Sequence, residues 1–185
     1  FGPKVVTVQY PVNPGAEFDS FVDVLLMKLY RFKGTLGERE ELPIPESEMA
    51  RAKELNAKLV EAAAENDEQL MELFFEKGTL TEDEIRKGLS GGIATGGVNP
   101  VFCTSAQRTI GVKRLMEFII KVGPSPADTP PLVDTEGHEV KCDSQAPTSL
   151  FVFKTATEPH IGEINYFKVT SGTLTEGQDL LNTTT

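Results

Sequence analysis

"PVFCTSAQRTIGVKRLMEFIIKVGPSPAD", residues 100–128, holds the change of pattern that decides the fold. It opens with a short apolar run, Pro100 to Thr104, bounded by turn residues, as expected of a strand buried in a parallel sheet. From Gly111 to Val122 the apolar residues recur at helical spacing, which predicts Val112, Leu115, Met116, Ile119 and Ile120 on the packed side. Strand, polar loop and helix make an α/β unit. The pattern then breaks, because "GPSPADTPP" (123–131) puts four prolines in nine residues. Such a stretch cannot continue a helix and behaves as a stiff extended linker, so a domain boundary is expected there.

Upstream, "SGGIATGG" (90–97) has the look of a phosphate-cradling loop. That chemistry needs a strand before the glycines, a helix after them and a lysine that reaches the terminal phosphates. Here a helix precedes, a strand follows, and no lysine lies between Gly91 and Cys103. The expectation is structural: Gly91 and Gly92 stop a helix, and Gly96 and Gly97 turn the chain into the next strand.

Three helices are predicted before that point. Met49, Ala52, Leu55, Leu59, Val60 and Ala63 follow one helical face from Pro45 onward, with Glu46 and Glu48 at the positive end of the helix dipole. A shorter helix runs from about Asp67 to Glu76, with Leu70, Leu73 and Phe74 inward and Gly78 at its end. A third starts at Thr81, where Thr81 and Glu84 have the spacing of a capping box. Nearer the start, "KVVTVQY" (4–10) reads as one strand, Phe18 to Phe32 fits a buried helix or two strands and leans to strands, Lys33 to Gly37 reads as a loop, and "EREELPIP" as an edge strand. Beyond the prolines, Leu150 to Thr157 and Gly162 to Thr170 are strand-like, and Asp179 to Asn182 is expected to start a third strand. Three strands without a partner sheet rarely close a core, so this β unit reads as cut short, with an edge open to self-association.

The 185 residues suffice for one full core and part of a second. No apolar run approaches a membrane span, and two cysteines, Cys103 and Cys142, suggest a reducing, cytoplasmic setting in which both are structural. The chain opens at Phe1 without a leader and is expected to be a piece of a longer protein. Net charge is −10, of which Glu38 to Lys87, with fifteen acidic and seven basic residues, supplies −8. That segment repels phosphate backbones and attracts basic partners, against the blander reading of a solvated acidic face. His138 and His160 lack ligands at metal spacing, Glu82, Asp83 and Glu84 suit a helix's first turn, and no nucleophile arrangement is evident.

The order of these segments resembles bacterial elongation factor G, the translocase of protein synthesis. In that family a strand ends in a Ser-Ala pair, a glycine-containing loop starts the last helix of the GTP-binding domain, and Pro-Ser-Pro leads into a β-barrel; "PVFCTSAQRTIGVKRLMEFIIKVGPSPAD" is similar throughout. "LFVFKTATEPHIGEINYFKVTSGTLTEGQDLLNTT" (150–184) is similar to the opening of the barrel. "VQYPVNPGAEFDSFVDVLLMKLYRF" (8–32) and "IPESEMARAKELNAKLVEAAAENDEQLMELFFEKGTLTEDEIRKGL" (44–89) resemble the subdomain this family inserts into its GTPase domain. The resemblance implies an α/β fold: an α+β insert over residues 1–99, the last strand and helix of the GTPase domain over 100–123, a linker over 124–146 and a partial barrel over 147–185. It assigns Ser105 and Ala106, with a weaker part for Gln107, to the loop that meets guanine. GTP and magnesium are implied for the parent only; the chain alone is expected to be non-catalytic. Implied partners are the ribosome, with ribosomal RNA met by the complete parent, and the C-terminal domain of the stalk protein, met by the acidic helices. Family members follow Ser-Ala with an apolar residue and a lysine, whereas this chain has Gln107 and Arg108. A ribosome-protection factor or a divergent elongation factor G-like GTPase therefore stays open beside the main translocase, as does a purely acidic docking module.

Overall fold

Val8 is where the chain changes sheets. Its N–H donates to the Val101 carbonyl at 3.0 Å, and its own carbonyl accepts from Val24 N–H at 2.9 Å. The stretch expected as one strand is therefore two, β1 (Val5–Thr7) and β2 (Gln9–Pro11). A residue that bonds in both directions cannot stay in one ladder, and the fully buried Val8 is that hinge. In this computed structural model, residues 2–33, 37–134 and 136–183 are described. They fall into two compact units, Phe1–Pro124 and Ser125–Thr185, of mixed α/β content.

In the first unit β2 continues into an antiparallel sheet with β3 (Ser20–Asp23), β4 (Lys28–Lys33) and β5 (Glu38–Leu42), in sequence order. Phe18 to Phe32 thus forms paired strands, with Phe21 opposite Tyr30 and Asp23 opposite Lys28. The loop expected between Lys33 and Gly37 lies, apart from those two ends, outside the described residues. Against this sheet pack α1 (Glu46–Ala64), α2 (Glu68–Lys77) and α3 (Glu82–Ala94). Ala52, Leu59, Val60 and Ala63 are buried on α1 and Leu70 on α2, as the spacing predicts. Asp67 caps α2 by accepting from Gln69 and Leu70 N–H, and Thr81 with Glu84 closes the expected capping box on α3.

The glycines of α3 do not stop it. Gly91 and Gly92 lie inside the helix, which runs on to Ala94 before Gly96 turns the chain with φ +70°. Close approach accounts for two of the helix's glycines: a Cβ on Gly92 would meet Val98 and Asn66 side-chain atoms at 2.6 and 2.7 Å, and one on Gly88 would sit 2.2 Å from the Ala63 carbonyl oxygen of α1, whereas Gly91 faces open space.

Strand β6 (Asn99–Val101) pairs in parallel with β1. It is shorter than the sequence suggests and partly exposed, because its three-residue partner is its sole neighbour among the described residues and Phe102 leaves the ladder to pack edge-on against Phe118. The helix α4 (Val112–Val122) follows, and its packed face differs from the predicted one. Arg114, Phe118 and Val122 are buried, while Met116, Ile119 and Ile120 are exposed, Ile120 at 78 %. Helical spacing selected the face with the most apolar residues, whereas the buried face is set by the partners of Phe118 and Arg114, Phe102 and Asp23.

In the second unit, the stretch up to residue 146 carries a short 3-10 turn, Pro126–Asp128, and a small hairpin of β7 (Leu132–Val133) with β8 (Glu139–Val140). A long hairpin follows, β9 (Ser149–Glu158) with β10 (Gly162–Ser171), irregular at Tyr166/Phe167 and Val169/Ser171. Asp179 to Asn182 forms no strand; a strand exists through its ladder, and neither β9 nor β10 offers one there. No closed barrel is present among the described residues.

Candidate functional site: the loop from Cys103 to Gly111

The loop after β6 is a small hairpin. Ser105 N–H donates to the Ile110 carbonyl and Ile110 N–H to the Ser105 carbonyl, both at 3.0 Å. Thr109 N–H reaches back to the Ala106 carbonyl at 3.2 Å, so Ala106, Gln107, Arg108 and Thr109 form the exposed tip. Among the described residues, the N–H groups of Ala106 and Gln107 have no acceptor and the Gln107 side chain makes no hydrogen bond. Three of the loop's backbone N–H groups are thus spent on its own shape, and those of Ala106, Gln107 and Arg108 stay unpaired, among the described residues, at its exposed tip.

Gly111 ends the loop with φ +73°, and a Cβ there would lie 2.8 Å from the Cys103 carbonyl oxygen and 3.2 Å from the Phe21 ring. Only glycine fits both the conformation and the space. Ile110 is buried with Phe21, Tyr30 and Phe32, against which Phe18 and Cys103 pack. Burial pushes the Cys103 thiol up to about 12, so at neutral pH it stays protonated and inert as a nucleophile.

Beneath the loop lies a buried ion pair that sequence reasoning missed. Arg114 Nε donates to Asp23 Oδ2 at 2.7 Å, Gln9 Nε2 donates to the same oxygen at 3.3 Å, and Leu26 N–H donates to Oδ1 at 2.9 Å. Asp23 is fully buried and Arg114 is 2 % exposed. The signal was available, since Asp23 interrupts the apolar run "SFVDVLL" (20–26) and Arg114 stands one turn before Phe118 on the buried face. Arg108, noted in the sequence only as a departure from a familiar pattern, also has a structural partner: its Nη1 donates to the carbonyls of Ala16 at 3.2 Å and Phe18 at 2.9 Å.

The structure thus places Ser105, Ala106 and Gln107 together on one braced turn. Ser105 anchors it through its backbone, and Ala106 and Gln107 present free amides. Among the described residues, no group of three His, Cys, Asp or Glu side chains is arranged to hold a metal, and no helix is long and apolar enough to cross a membrane.

No family model matches the chain. Among solved structures it is similar to the crystal structure of ttk003000868 from Thermus thermophilus, with 27 % sequence identity and a TM-score of 0.69. The match covers 91 % of this chain but 23 % of the Thermus protein, so the chain spans about a quarter of that protein's length.

Proposed function

We propose that this chain is part of a translational GTPase resembling elongation factor G, in which residues 105–107 form the base-side loop of the guanine nucleotide site. The observation that carries the reading is the free N–H groups of Ala106 and Gln107 at the exposed tip of a turn that the Ser105, Thr109 and Ile110 N–H groups hold in shape. Guanine presents an acceptor, O6, where adenine presents an amino donor. An N–H that meets O6 therefore selects guanine and repels adenine, and the small Ala106 side chain leaves room for the base to approach. The residues present suit the base rather than the phosphates, since the glycines at 91 and 92 are helical and form no phosphate-cradling loop. Phosphate and magnesium would be held by other parts of the longer protein, which would supply the GTP hydrolysis that drives tRNA and mRNA movement on the ribosome.

The test uses that longer protein. Replacing Ala106 with proline removes the N–H, and guanine nucleotide affinity should fall about five- to tenfold, the worth of one hydrogen bond of about 1 kcal/mol. Adenine nucleotide binding should not weaken. Equal loss for both bases, or none, would sink the assignment.

A second reading rests on a different observation. Glu61, Glu65, Glu68, Glu72 and Glu76 on and around α1 and α2 are exposed and have no salt-bridge partner among the described residues. Such a face suits a basic protein, and the resemblance points to the stalk protein's C-terminal domain. Titrating the labelled chain with that domain at low salt should shift α1 and α2 resonances, and added salt should reverse the shifts.

A further inference from the structure

The loop at 105–110 rests on one end of the four-stranded sheet, and three separate contacts hold it there. Arg108 spans about ninety residues of sequence to donate to Ala16 and Phe18 carbonyls in the turn between β2 and β3. That turn is itself fixed: Phe18 N–H donates to the Gly15 carbonyl at 3.1 Å, and the Asn13 side chain bonds Glu17, Asp19 and Ser20. Just before β5, Gly37 lies so close that a Cβ would meet the Thr109 carbonyl oxygen at 2.8 Å. Ile110, the loop's last residue, is buried on the Phe21, Tyr30 and Phe32 rings of β3 and β4.

Thr109 shows that this seating is imposed. It is a β-branched residue with φ 57°, in the left-handed region that such side chains disfavour. Strain of this kind persists where surrounding contacts over-determine the conformation, and here they are Arg108 on one side and the Ser105–Ile110 bridge on the other. Arg108 is the one of these contacts that a side-chain change can release without opening the core, because the residue is exposed.

From this arrangement we infer that Arg108 is a positioning residue for nucleotide recognition: it clamps the 105–110 turn to the inserted sheet and so sets the direction of the Ala106 and Gln107 amides. The inference rests on the base-side reading of that turn. It follows that the sheet and the nucleotide site are mechanically joined, so a ligand that displaces the β2–β3 turn would alter guanine affinity without touching the base.

Two measurements test it. In the chain as it stands, Arg108→Ala should speed hydrogen exchange of the 105, 109 and 110 amides at least tenfold, with α1 and α3 amides unchanged, and Arg108→Lys should recover part of the protection. Unchanged exchange at those amides overturns the clamp. In the longer protein, Arg108→Ala should weaken fluorescent GDP about five- to tenfold through faster dissociation, with Arg108→Lys between it and the native protein. Ala106→Pro serves as the control. If Ala106→Pro weakens GDP and Arg108→Ala does not, the positioning role is wrong and the base-side reading stands. If neither weakens it, both fall together.

Discussion

Gly88 and Arg114 are held to their identities by what surrounds them. A methyl group on Gly88 would enter the α1 backbone, so Gly88→Ala must push α1 and α3 apart and should cost roughly 1–3 kcal/mol, read as a lowered urea midpoint. Arg114→Met would leave Asp23 buried without its countercharge, and the expected loss is about 3–5 kcal/mol. Removing both partners, as Arg114→Met with Asp23→Asn, should cost less than the two single changes summed. Additive losses would show that the pair does not act as a unit.

The elements divide by how much of their placement is local. Helices α1 to α3 were legible because local signals and one apolar stripe suffice: Thr81 with Glu84, Gly78 at the end of α2, and the Ala52 to Ala63 face stand as the spacing implies, while the part of Asp67 as the cap of α2 was not read. What was not legible depends on distant partners. The division of residues 4–10 at Val8 follows from bonds to Val24 and Val101, and the buried face of α4 follows from Phe102 and Asp23. Of the candidate site, residues 105–107 were named from the resemblance and lie on one turn, whereas that turn's supports at Ala16, Phe18 and Gly37 were not anticipated, since nothing near residue 108 in sequence announces them. The α4 assignment is directly checkable. Phe118→Ala should cost about 3–5 kcal/mol, whereas Ile120→Ser should stay within about 0.5 kcal/mol in this chain. Asp67 gives a pH dependence. The Lys87 ammonium and then the Leu70 N–H hold its carboxyl below the usual range, so its contribution is present above the ordinary carboxylate pKa and is lost as pH falls through the lowered value. Amide protection at the start of α2 should therefore decline on acidification below about pH 4, and Asp67→Asn should blunt that decline.

On the scale of the molecule, the two units differ in what holds them. Both apolar clusters lie in the first unit, whereas in the second Phe151, Phe153, Phe167 and Leu181 are exposed and Ser171 is its one buried residue among those described. A two-stranded hairpin without a covered face is marginal in water. Residues 149–171 should exchange their amides orders of magnitude faster than α1, and sedimentation should show mass rising with concentration as open edges pair. A protected, monomeric second unit would contradict that. The first unit carries the functional proposal, and the chain by itself should show no calorimetric heat with GTP and magnesium, because one neutral hydrogen bond gives no measurable affinity. A structure of the longer protein with GDP bound puts the base-side role of the 105–107 turn to its plainest test. Ala106 N should lie within about 2.7–3.2 Å of guanine O6, with Arg108 still on the Ala16 and Phe18 carbonyls. A guanine seated elsewhere, or an Ala106 N–H turned away from it, would contradict that role.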